Sequence, residues 1–138
     1  MNSNRQTFYS KFSRFNLHTG QAVVELALLL PVLILILVGI LDLGRIYGAQ
    51  VTITNAAREG ARYGAIYPTA SAIQTRAAQE AAAGGITGVT TNISPTLPVG
   101  SGTPIAVTVQ YNFPMLTTNI FAGVSSVPIQ ASAVMQAQ

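Results

Sequence analysis

The sequence predicts an α+β fold: a long N-terminal transmembrane helix that continues into a small domain with a second helix and a three-stranded antiparallel sheet. Three observations carry this. From Leu26 to Leu41 no residue is charged and nearly all are aliphatic. Beyond that run, apolar residues recur every three or four positions as far as Gly64. In the C-terminal third the period becomes two, with Ile105, Val107, Val109, Tyr111 and Phe113 alternating with Ala106, Thr108, Gln110 and Asn112.

The first element follows from length and charge. With Ala22–Val24 and Glu25 included, the apolar run is about twenty residues, or about 30 Å of helix, the thickness of a bilayer core. Arg5, Lys11 and Arg14 precede it with no acid among them. That asymmetry places the N-terminus in the cytoplasm and sends the rest outward. An ordinary signal peptide would have a shorter apolar region and a small-x-small cleavage site. The best such site follows Ala49, where the bulky Tyr47 stands at position −3. Neither that reading nor a plain signal anchor explains Glu25. An acid within an apolar helix costs up to about 2.5–3.5 kcal/mol at the bilayer centre and less near an end, so Glu25 is a functional candidate.

Between Asp42 and Gly64 the helix continues. Ile46, Ala49, Ile53, Ala57, Gly60 and Gly64 form one apolar stripe, with Arg45, Thr52, Asn55, Glu59 and Arg62 opposite. Asp42–Arg45 and Glu59–Arg62 are expected as local ion pairs on a solvated face. Glycine is costly in a helix, by about 0.8–1 kcal/mol relative to Ala. Gly44 with Gly48, and Gly60 with Gly64, have the spacing that lets another backbone approach. The second pair is expected to pack within the chain and the first against another subunit. Pro31 is expected to kink or locally unwind the apolar segment.

Tyr67-Pro68 ends this helix. Ser71-Ala72-Ile73-Gln74 looks like a capping box that opens a second, alanine-rich helix over 70–84, closed by Gly84-Gly85. Three strands follow within 87–136: a short one around Val89, Thr91 and Ile93, the strong one at 105–113, and a third carrying Val127, Ile129, Ala131, Ala133 and Met135. Leu97–Gly102 is expected as a hairpin loop and Pro114–Ser126 as a longer connection. Prolines 95, 98, 104, 114 and 128 mark strand limits and edges.

Composition excludes much. The 138 residues suffice for one domain. Only 8% are charged against 49% hydrophobic, far from the quarter or so of charged residues in soluble domains. The net charge of +3 comes from the first twenty residues; thereafter four arginines face four acids, which leaves no basic patch for nucleic acid. With no cysteine and His18 as the sole histidine, disulfides, metal sites and His-based triads are set aside. No catalytic group, cofactor or small-molecule substrate is expected.

The segments Gly20-Gln21-Ala22-Val23-Val24-Glu25, Leu30-Pro31, Gly39-Ile40-Leu41-Asp42-Leu43-Gly44-Arg45 and Asn55-Ala56-Ala57-Arg58-Glu59-Gly60-Ala61-Arg62-Tyr63 resemble the TadE-like family, minor pilins or pseudopilins of the Tad/Flp pilus system and related to type IV pilins. The resemblance covers residues 20 to about 66. It implies a basic prepilin leader at 1–20, a processing site at Gly20 and Gln21 cut by prepilin peptidase, a transmembrane and assembly helix at 21–44, and an extracytoplasmic pilin-like domain at 45–138. It also implies that Glu25 pairs with the N-terminal ammonium of a neighbouring subunit. The implied partners are other pilin or pseudopilin subunits, the peptidase, the inner membrane and the pilus assembly machinery. Leu26 departs from the aromatic that type IV pilins often carry there. A major filament subunit and a monomeric membrane-anchored binding module are the alternatives.

Overall fold

The computed structural model describes residues 17–117 and 126–138. Most of the basic leader and the middle of the connection after Pro114 lie outside them. The chain divides into two compact units, Met1–Leu37 and Val38–Gln138. Helix α1 (Leu17–Ile66) begins in the first and ends in the second.

In the first unit the described part is helix. Residues 20–37 are exposed on every side, with Val23 at 66% and Leu28 at 73%. A helix that is apolar all round has no face to turn to water. It is also the one helix among the described residues long and apolar enough to cross a membrane. The helix runs unbroken through Pro31, so the local unwinding expected there does not occur. The ring removes only the N–H that would bond to the Ala27 carbonyl, and the turns on either side hold.

The second unit is an α+β sandwich of two layers. Helix α2 (Ala70–Ala83) follows α1, and then strands β1 (Thr90–Ser94), β2 (Pro104–Pro114) and β3 (Ser126–Gln136). The sheet has the order β1-β2-β3, antiparallel throughout, with Asn92 opposite Thr108 and Thr108 opposite Ser132. Both helices cover one face. The period-two pattern read from the sequence is the burial pattern observed: Ile105, Val107, Val109 and Phe113 are buried while Gln110 and Asn112 are exposed. They meet Ala49, Ile53, Ala57 and Ala61 of α1 and Ile73, Ala77 and Ala81 of α2 in one core. Alanines dominate the helical side, so the helices lie close to the sheet and to each other.

The second helix starts differently from its expected capping box. Its N-cap is Thr69, in an extended conformation and with no side-chain capping bond; the Thr69 carbonyl accepts the first bond from the Ile73 N–H. Ser71 therefore lies inside the helix, where its carbonyl accepts the Thr75 hydroxyl. The C-terminal end matches expectation in detail. The Gly85 N–H donates to the Ala82 carbonyl and the Ile86 N–H to Ala81, with Gly85 at φ +82°. This is a Schellman closure, which requires the left-handed residue that glycine supplies.

Candidate functional site

The N-terminal candidates Gly20, Gln21 and Glu25 lie within about a turn and a half of helix. Gly20 has open space where a side chain would be. One turn separates Gln21 from Glu25, and the Gln21 amide donates to the Glu25 carboxylate at 3.1 Å. Around them Val23, Val24, Leu26 and Leu28 are all more than half exposed. Glu25 is thus the one acid on an otherwise hydrocarbon surface, and its partner among the described residues is a neutral amide. Pro31, two turns on, is exposed.

Asp42 is placed quite differently, and the solvated ion pair expected for it is corrected. The residue is 1% exposed. Its carboxylate accepts the backbone N–H groups of Leu116 at 3.0 Å and Thr117 at 2.9 Å, as well as Arg45 Nη1 at 3.0 Å. The Arg45 guanidinium lies 4.8 Å from the centre of the Phe113 ring. Asp42 therefore fastens α1 to the chain that leaves β2. The helical spacing 42, 46, 49 and 53 does put Asp42 in line with the apolar stripe, a signal the ion-pair reading overlooked. Its partners, more than seventy residues away, were not legible.

Glu59 also does more than pair locally. One of its oxygens accepts Arg62 and the other is shared with α2, where Arg76 Nε and Nη2 donate at 3.0 and 2.7 Å. The hydrogen bonds from Arg62 and Arg76 hold the Glu59 carboxyl at a pKa of about 2. An open cleft beside this group is lined by Glu59, Arg62, Tyr63, Thr75 and Arg76. Its charges are engaged with one another.

The two glycine pairs differ in surroundings. A Cβ on Gly60 would stand 3.2 Å from Ala77 Cβ and 3.3 Å from Val107 Cγ1; one on Gly64 would stand 2.7 Å from Ile73 Cδ1. At Gly44 and Gly48 nothing lies within 4 Å. Among the described residues no cluster of His, Asp or Glu could hold a metal ion.

The described residues thus comprise one exposed apolar N-terminal helix, long enough to cross a membrane, and a two-layer α+β unit. Residues 20–62 match the family model described as TadE-like protein. The matched segment takes in Gly20, Glu25, Asp42 and Glu59 together. No match was found among curated proteins or among solved structures.

Proposed function

We propose that this chain is a minor pilin or pseudopilin. It is held in the bacterial inner membrane by the helix at 21–44, with the following domain outside the cytoplasm. Prepilin peptidase frees it from its leader between Gly20 and Gln21. It then joins a Tad/Flp-type pilus, or the complex that initiates one, through the same helix. Its role is structural rather than catalytic, and its partners are other pilin-type subunits and the assembly machinery.

The observation that carries this reading is the exposed hydrocarbon helix with Glu25 as its lone acid, inside the segment that matches the family. Such a surface needs lipid around it, and later the equivalent helices of other subunits. Cleavage after Gly20 creates an ammonium at Gln21. An anion four residues along can neutralise the ammonium of a neighbour where water is scarce, and that pairing offsets the cost of keeping a carboxylate there. N-terminal sequencing of the chain extracted from membranes tests the reading. The expected mature start is Gln21, with Gly20→Leu left uncut. A mature start at Gln50 would mean removal of an ordinary signal peptide and would end the pilin reading.

A further inference from the structure

Among the described residues the sheet has two outer edges, on β1 and β3, and neither strand carries a charged residue. Edge strands normally bear charges, because an unpaired row of N–H and C=O groups otherwise templates pairing with another chain. On β3 the direction of those groups can be read. The Ala137 N–H donates to Thr103 and its carbonyl accepts from Gly102, both on the β2 side. Alternation then turns the N–H and C=O of Gln130, Ser132, Val134 and Gln136 outward. The Gln50 amide confirms it by donating to the Gln130 carbonyl at 3.0 Å. Following the same alternation across β2 turns Thr91 and Ile93 of β1 outward, and the Gln74 amide approaches the Thr91 carbonyl at 3.5 Å. Pro128, which has no N–H to offer, stands at an outward position near one end of β3.

Strand direction decides which edge can meet which. Gln50 lies beside Gln130, and the Gln138 N–H donates to the Ala65 carbonyl. About 22 Å of helix thus runs alongside about 26 Å of strand in the same sense. Within the second unit α1 and β3 are parallel, and β1, two strands over in an antiparallel sheet, is parallel to both. Joining β3 to β3 of another copy, antiparallel, would set the two α1 segments in opposite directions. Copies whose α1 helices run in the same direction are not brought together that way. Joining β3 to β1 keeps them in one direction.

We propose that the outer edge of β3 is an assembly surface that takes the outer edge of β1 from a second copy of this chain, in parallel. The contact is heterologous, using a different edge on each copy, and is not a symmetric pair. Tyr47, 74% exposed, and Thr54 share the flank of α1 with Gln50 by helical spacing, and they border the place the incoming strand takes. The shared direction rests on the membrane-anchored reading above; the pairing of uncharged edges does not.

The cysteine-free chain makes the test clean. Two differently tagged full-length copies are co-expressed, one with Ser132→Cys and the other with Thr90→Cys, Asn92→Cys or Ser94→Cys, and the membranes are oxidised. Facing side chains on adjacent strands come within about 5.5 Å, within disulfide reach, whereas β1 and β3 of one chain are about 10 Å apart. The expected result is a mixed-tag dimer with at least one of the three β1 positions. Adding Val134→Pro, which removes only an outward N–H, should reduce it at least fivefold without loss of folded protein. A Ser132→Cys chain that cross-links to itself, or no mixed dimer in membranes whose chains begin at Gln21, would overturn the proposal. A chain recovered outside the membrane fraction would instead sink the anchored reading and the shared direction with it.

Discussion

Glu25 and Asp42 lie on one helix and have opposite surroundings. Asp42 is enclosed by two backbone N–H groups and a guanidinium. Glu25 stands on an exposed apolar surface with one amide for company. The glycines repeat the contrast, since Gly60 and Gly64 are filled by Ile73, Ala77 and Val107 while Gly44 and Gly48 face open space. The residues of α1 around Asp42, Gly60 and Gly64 are satisfied within the chain, whereas its N-terminal apolar segment and the Gly44–Gly48 face are left for something outside it. This is the arrangement a subunit needs if it folds alone and completes itself only in lipid or in an assembly.

Breaking the contacts satisfied within the chain should have the largest effect on stability. Asp42→Ala leaves the Leu116 and Thr117 N–H groups without their acceptor and should cost about 3 kcal/mol. Asp42→Asn keeps one acceptor oxygen and should cost about half as much. Thermal melts of the full chain in detergent measure both, and an unchanged midpoint for Asp42→Ala would remove the fastening role. Gly60→Val should follow, at about 1–3 kcal/mol, because Ala77 and Val107 leave no room for the side chain. Gly44→Val, in open space, should change unfolding by no more than about 0.5 kcal/mol. Equal penalties for the two would erase the contrast between the filled and the open glycine positions.

A smaller effect should appear with pH. Glu59 has a pKa of about 2 in the folded chain against 4.5 ordinarily, because Arg62 and Arg76 donate to it. A lowered carboxylate pKa stabilises the fold above the unfolded value and ceases to do so as pH falls from 4.5 towards 2. The difference in melting point between the wild type and Glu59→Gln should therefore be constant above about pH 5 and close as pH falls towards 2. Arg76→Ala, which breaks the link between the helices, should cost about 0.5–1 kcal/mol near neutral pH.

Periodicity made most of the fold legible. The apolar run, the apolar stripe from Ile46 to Gly64 and the alternation at 105–113 each have one structural solution, and the Gly84-Gly85 closure is local chemistry. What escaped was chosen by tertiary contact. Arg45 near Asp42 looked like a surface pair because the spacing was right, yet the groups that bury Asp42 come from beyond β2. Arg76 joins Glu59 across two helices, and no local pattern marks that. The capping box failed because Thr69, after Pro68, already held the extended conformation a helix start requires. For the candidate site, Gly20, Glu25 and their apolar surroundings were readable, since they depend on neighbours in sequence alone.

The central claim is that Glu25 is kept for another subunit and not for the chain's own fold. The most direct test compares wild type, Glu25→Gln and Glu25→Ala in paired blots of membranes and of purified pilus complexes. Both variants should reach the membrane at wild-type levels, because an apolar helix in lipid gains by losing a carboxylate. Both should be missing from the complexes. Normal incorporation of the two variants would contradict the claim and leave Glu25 as an interfacial residue of a plain anchor.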